Sequence, residues 1–321
     1  MHKYKFIPLL FCTLLFISCG SANINTENEK IKIVCAAFPE YDWTREIAKN
    51  TDNTEIILIA DNGTDLHSFQ PSTKDIVNIL SCDVLIYIGG ESDKWIDDTI
   101  ENSADIGDIH IVKLSDILEE RLLHEPDIHE STHEHNHEHN EDEAFDEHIW
   151  LSLKNASILC NGIAKALSDA DDKNTDIYTV NAAHYIENLD SLDNDFEKKL
   201  LHAKRKNVLF ADRFPFIYMM EDYNITYHAA FPGCSAEADA SFETILSLSL
   251  EADNEDLHTI LTIEGSDCNI SDAVIKNTRK KDQNVLNLDS MQAVKRSDIE
   301  NGKTYISVMK KNLDMIMEAL N

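Results

Sequence analysis

Short apolar runs, each closed by polar or turn-prone residues, recur in two sets along this chain. The first set is Ile31 to Phe38, Glu55 to Ala60, Asp83 to Gly90 and His110 to Ser115. The second is Asn207 to Asp212, Thr226 to Phe231, Thr259 to Glu264 and Asn284 to Asp289. Runs of this length, apolar on both faces, read as buried parallel strands. Helical spacing separates them, as at Tyr41 to Asn50, at Ser72 to Ser81 with Ser72 as N-cap after Pro71, and at Phe242 to Glu251. Alternating β and α units of this kind predict an α/β protein with two doubly wound lobes, each built on a parallel sheet.

A different pattern lies between the two sets. From Asp176 to Ala203, Tyr178, Ala182, Tyr185, Leu189, Leu192, Phe196 and Leu200 recur at three- and four-residue steps, with no Gly or Pro inside. Such a stripe predicts a helix of about 40 Å, long enough to connect both lobes rigidly and to restrict their closure. The organisation expected is a signal peptide over 1–18, a polar tether over 19–30 and an N-terminal lobe over 31–175. An insertion occupies 119–147, and the connecting helix (176–205) and a C-terminal lobe (206–321) follow.

The amino terminus sets the compartment. Met1 to Lys5 is short and basic, and Phe6 to Ile17 is an almost unbroken apolar run. A bilayer-spanning helix needs about 20 apolar residues, so this run suits the core of a signal peptide. It ends at Phe16-Ile17-Ser18-Cys19-Gly20, which resembles a bacterial lipobox despite Phe16 where an aliphatic residue is usual. Cys19 is therefore the expected site of lipidation, with an ordinary cleaved signal as the alternative. No later run reaches spanning length, and the mature body is read as soluble and extracytoplasmic, held to the lipid bilayer through acylated Cys19.

Charge and cysteine usage narrow the function. A formal net charge of −31 argues against nucleic-acid binding, which needs basic patches, and favours cations. Cys35, Cys82, Cys160, Cys234 and Cys268 show no zinc-type CxxC spacing; the apolar settings of Cys35 and Cys160 suggest packing, and any disulfide pairing stays open. Between Glu119 and Glu147 lie His124, His129, His133, His135, His137 and His139, set among carboxylates in a stretch almost without apolar residues. Such a tract cannot build a core, but neutral imidazoles and carboxylates can collect a divalent metal without one fixed geometry. Two overlapping H-E-x-x-H matches begin at His129 and His133, yet neither lies in an apolar-periodic helix, and such matches arise by chance in a His/Glu tract. A metallohydrolase is thus the lesser reading.

In an open α/β lobe, ligands sit at the carboxyl ends of strands. That rule selects His67 in the loop after the second run, His148 after the histidine tract, Asp212 at the end of the fifth run and Asp289 at the end of the last. The segments TDLHSFQPS, DEHIWLSLKNA, AAFPGCSAEADASFETI and NLDSMQAV together resemble the metal-specific solute-binding proteins of zinc and manganese ABC importers. The histidine-rich acidic insertion is similar to that of the zinc branch. The resemblance runs from Ile31 to the C-terminus. It implies two α/β lobes bridged by a long helix, no enzymatic activity, one Zn²⁺ between the lobes (Mn²⁺ as the alternative), a monomer, and an ABC permease as partner. It places metal ligands on His67, His148 and Asp289.

This chain departs from that pattern in one place. Where the family commonly has a third histidine after the fifth strand, this chain carries Arg213, which stays protonated and cannot ligate. The adjacent Asp212 is the expected substitute, with His228 and Glu264 in reserve, and Arg213 is expected to pair with Asp289 or Glu264. A surface adhesin of the same family is the further alternative.

Overall fold

The structure, a computed structural model, describes residues 30–104, 106–124, 145–231, 233 and 240–321. The expected signal peptide, Cys19, and His129, His133, His135, His137 and His139 lie outside the described residues, as do both H-E-x-x-H matches. No helix among the described residues is long and apolar enough to cross a membrane.

Among the described residues, eight strands form two four-stranded sheets. β1 (Ile31–Cys35), β2 (Thr54–Leu58), β3 (Val84–Tyr87) and β4 (His110–Lys113) make the first, in the order β2-β1-β3-β4. β5 (Asn207–Phe210), β6 (Thr226–Ala229), β7 (Thr259–Ile263) and β8 (Asn284–Leu288) make the second, in the order β6-β5-β7-β8. Every pairing is parallel, and the two sheets share one winding. The order reverses between β1 and β3 and again between β5 and β7, which opens a crevice at the carboxyl end of each sheet.

All eight predicted strands are present, several shorter at the carboxyl end than their apolar runs. The first stops at Cys35 because Phe38 already begins the helix Phe38–Ile47, three residues before the expected start. Pro39 suits the first turn, where no N–H partner is needed, and the Glu40 carboxylate accepts the Ala37 N–H at 2.7 Å. The Thr73–Leu80 helix opens as expected on Ser72, whose hydroxyl accepts from Asp75 N while the Asp75 carboxylate accepts from Ser72 N.

The connecting helix runs Thr175–Leu200. Its end tightens through bonds from His202 N to Lys199 O and from Ala203 N to Leu200 O. Tyr178, Ala182, Tyr185, Leu189, Phe196 and Leu200 are buried along one stripe, with Leu192 partly buried. One apolar cluster continues from Ile33 and Trp43 in the first lobe through this helix to Phe210, Leu261 and Tyr305 in the second. Trp43 and Tyr305 meet edge to face at 5.1 Å, and the Tyr305 hydroxyl donates to Trp150 O at 2.6 Å. Cys35 and Cys160 are fully buried and unbridged, and burial pushes both thiols well above their ordinary pKa, so they act as packing groups.

The loop after β2 is stitched to the opposite lobe. Asn62 bridges Lys295, Gly63 N donates to Val294 O at 3.2 Å, and Arg296 N donates to Asp61 O at 2.8 Å. Gly63 has φ +78°, and a Cβ there would lie 2.6 Å from Lys295 Cγ, so both conformation and space call for glycine.

Candidate metal centre

His67 and His148, which are far apart in the chain, come together at the mouth of the first lobe with their ring planes tilted by 50°. Asp65 caps the short helix Leu66–Ser68 by accepting His67 N at 3.1 Å, which fixes the backbone that carries His67. His148 precedes the turn Ile149–Leu151 and is anchored from below by Trp150, whose ring meets the imidazole at 5.2 Å and whose Nε1 donates to Ser290 O at 2.8 Å. His148 is 1% exposed.

Each ring has its Nδ1 beside a carboxylate, hydrogen-bonded to it in His148 and shared with the Ser92 hydroxyl in His67. His148 Nδ1 lies 2.8 Å from Asp146 Oδ1, which also accepts the His148 N–H at 2.9 Å. His67 Nδ1 lies 3.1 Å from both Glu147 Oε1 and Ser92 Oγ. Ser92 in turn donates its hydroxyl to Glu147 Oε1 at 2.5 Å and its N–H to Glu147 Oε2 at 2.8 Å. Gly90 leaves room for this carboxylate, since a Cβ there would overlap the Glu147 side chain. A carboxylate that accepts a hydrogen bond from Nδ1–H selects that tautomer and leaves the Nε2 lone pair free to ligate. The two Nε2 atoms are 3.4 Å apart. Two nitrogens on one tetrahedral zinc, at about 2.0–2.1 Å each, stand about 3.3–3.4 Å from one another. His67, Glu147 and His148 also form a group whose ligand atoms all lie within 4.8 Å.

Asp212 and Asp289 are not brought into this group. Asp212 accepts the Arg213 N–H on Oδ1 at 2.8 Å, while its Oδ2 is shielded from solvent and has no hydrogen-bond partner among the described residues. It lines a cleft of about 340 Å³ with Asp65, Ser68 and Arg213. Asp289 Oδ1 accepts from Met291 N at 2.9 Å, and its Oδ2 pairs with Lys303 Nζ at 2.6 Å. The expected pairing of Arg213 with Asp289 or Glu264 is corrected: its Nη2 lies 2.9 Å from Asp65 Oδ2 in the other lobe. The physical reason is competition. Lys303 already neutralises Asp289, and Glu264 accepts from Ser290 N (2.7 Å), Ser290 Oγ (2.5 Å) and Gln292 N (3.2 Å). Burial, and secondarily the Asp289 charge, raise the Glu264 carboxyl above its usual range. Of the reserves, Glu264 thus shapes the loop carrying Asp289, and His228 stands on β6 beside Glu251 and Glu255, away from His67.

At the base of the histidine tract, His124 forms an antiparallel bridge with Phe145, and Asp146 N donates to Leu123 O at 2.7 Å. The Tyr218 hydroxyl, from the second lobe, donates to Asp146 O at 2.7 Å and accepts from Leu123 N at 3.1 Å. The insertion is therefore clamped at its stem, beside the residue that orients His148.

Sequence reasoning missed Ser92, Asp146, Glu147 and Lys303. The consecutive acids before His148 were a signal for two of them. Ser92 and Lys303 offered none, because their partners lie in other loops.

The profile of the family described as zinc-uptake complex component A, periplasmic (ZnuA), matches residues 33–319. The zinc-binding lipoprotein AdcA of Streptococcus pneumoniae (strain R6) is 30% identical over 321 residues, 99% of this chain but 61% of its own length. The high-affinity zinc uptake system protein ZnuA of Bacillus subtilis is 27% identical, with 96% of this chain and 95% of that protein covered. The crystal structure of the Zn(II)-bound ZnuA-like domain of Streptococcus pneumoniae AdcA superposes with a TM-score of 0.70 at 25% identity, covering 91% of this chain and 99% of that one. The metal-dependent lipoprotein YcdH of Bacillus subtilis shares the fold, with a TM-score of 0.73 at 21% identity over 91% of this chain and 100% of that one.

Proposed function

The chain belongs to the zinc-uptake complex component A family, and from that premise we propose that it is an extracytoplasmic receptor that captures Zn²⁺ and delivers it to an ABC-type membrane permease. The supporting observation is the pair of Nε2 atoms 3.4 Å apart, each on a ring whose Nδ1 lies beside a carboxylate. His67 and His148 are the imidazole ligands. Asp289 and Asp212 supply oxygen donors, Asp289 by leaving Lys303 and Asp212 through its Oδ2, unpartnered among the described residues. Asp146 and Glu147 orient the imidazoles and lower the cost of holding a dication in a buried site. The imidazoles and the histidine-rich tract favour zinc, while the two aspartate oxygens keep Mn²⁺ as the alternative.

In the same reading residues 1–18 are removed, Cys19 carries the lipid anchor, residues 19–30 tether a monomeric body, and the tract from His124 through His129, His133, His135, His137 and His139 gathers zinc. The bridges from Asp61, Asn62, Gly63 and Asp65 to the second lobe oppose wide opening. Release on docking then proceeds by local movement of a ligand loop.

Deleting Ser131 to Glu143 tests this function. The deleted protein should lose weakly held zinc and keep one tight ion per chain by calorimetry and metal analysis. A packed site holds its ligands in place before binding, whereas a polar tract loses conformational entropy on closing around an ion. Loss of the tight ion would move the primary site into the tract.

A further inference from the structure

We propose that His228, Glu251 and Glu255 form a second divalent-metal site, of zinc-binding chemistry, at the edge of the C-terminal sheet. His228 lies on β6, the edge strand of that sheet, and the helix Phe242–Asn254 runs alongside. Glu251 and Glu255 are four residues apart, which places both carboxylates on one side of the helix end. His228 Nε2 is 3.2 Å from Glu255 Oε1 and 4.0 Å from Glu251 Oε2, and the three ligand atoms lie within 4.8 Å of one another. The second Glu255 oxygen accepts from Asn207 Nδ2, on β5, so this carboxylate is oriented from the neighbouring strand.

Charge balance separates this cluster from an ordinary surface ion pair. Among the described residues, neither glutamate pairs with a lysine or arginine; the imidazole is the only potential cation within ion-pair reach of either, and Glu255 accepts in addition from the neutral Asn207 amide. A neutral imidazole leaves two negative charges close together, and a dication at the centre removes that repulsion while using all three donors. The side chains of His228, Glu251 and Glu255 are 33%, 37% and 30% exposed. Water can therefore complete the coordination, and the exposed Glu251 can close its 4.0 Å gap by rotation. One imidazole with two carboxylates is a donor set zinc accepts, weaker than a pair of preoriented buried histidines.

The test must read His228 itself, because the histidine-rich tract binds zinc as well. The full chain, stripped of metal, is treated with diethylpyrocarbonate with and without Zn²⁺ in excess of one equivalent, and each histidine is quantified by peptide mass spectrometry. Labelling of His228 should fall at least about fivefold with zinc, as expected when a metal takes the imidazole lone pair. His184, exposed on the connecting helix, serves as the unprotected control. In the Glu251→Gln/Glu255→Gln variant, with its fold verified by circular dichroism, His228 should label equally with and without zinc. Equal labelling of His228 in the parent chain, or protection that persists in the double variant, would overturn the site.

Discussion

Arg213 of the second lobe and Asp65 of the first form an ion pair at 2.9 Å, and the other oxygen of Asp65 holds the His67 amide at 3.1 Å. One carboxylate thus ties the loop bearing a candidate ligand to the opposite lobe. At the position where the resemblance leads one to expect a histidine, this chain uses a cation to hold the loop of another histidine.

Removing that tie should loosen His67 without removing a donor. Arg213→Ala is expected to weaken zinc binding about fivefold, or about 1 kcal/mol, the upper range for a partly exposed ion pair. Asp65→Asn keeps an acceptor for His67 N and should cost a similar amount. Calorimetry on the tract-deleted chain should show the double variant no worse than either single one, since both break the same contact. Fully additive losses would show that the two residues act separately.

His67→Ala and His148→Ala should each abolish tight zinc binding while leaving the circular dichroism spectrum unchanged. Asp146→Ala removes the carboxylate behind His148 and should weaken binding by about 10- to 100-fold, as for other groups that orient metal-bound histidines. Competition with a calibrated zinc chelator measures all three. Unchanged affinity in both histidine variants would remove the assignment.

Glu40 predicts how stability depends on pH. It is completely buried, with Oε2 unpartnered among the described residues, and burial followed by repulsion from Asp93 pushes its carboxyl up to about 8. The folded state therefore binds this proton more tightly than the unfolded chain, where a glutamate titrates near about 4.3. The stabilisation is fully present below that unfolded value and is lost as pH rises toward 8. The melting temperature of Glu40→Gln should accordingly fall less between pH 6 and pH 8 than that of the parent, read by differential scanning calorimetry. Parallel declines in the two proteins would refute the assignment.

Trp150 joins the centre to the interlobe core. It is 2% exposed, packs on His148, donates to Ser290 O and accepts the Tyr305 hydroxyl through its backbone. Trp150→Ala should destabilise the metal-free protein by about 3–5 kcal/mol, the range for deleting a large buried aromatic. Urea unfolding supplies the measurement. A cost below about 1 kcal/mol, typical of surface sites, would mean the ring is not held as described.

The local pattern of apolar residues already determined the eight parallel strands, the stripe from Tyr178 to Leu200 and the capping by Ser72. Each of these depends on neighbours a few positions away. His67 and His148 were legible because strand ends and short motifs are also local, and the charge and histidine content pointed to a cation. Only the tertiary structure decided what surrounds those histidines. Ser92 reaches Glu147 from another loop, Arg213 chooses Asp65 over Asp289 and Glu264, and Lys303 neutralises Asp289. The physical reason is that hydrogen bonds and ion pairs are satisfied by proximity in space, and each donor or acceptor taken by one partner is withdrawn from the rest. Periodicity along the chain carries no record of that competition.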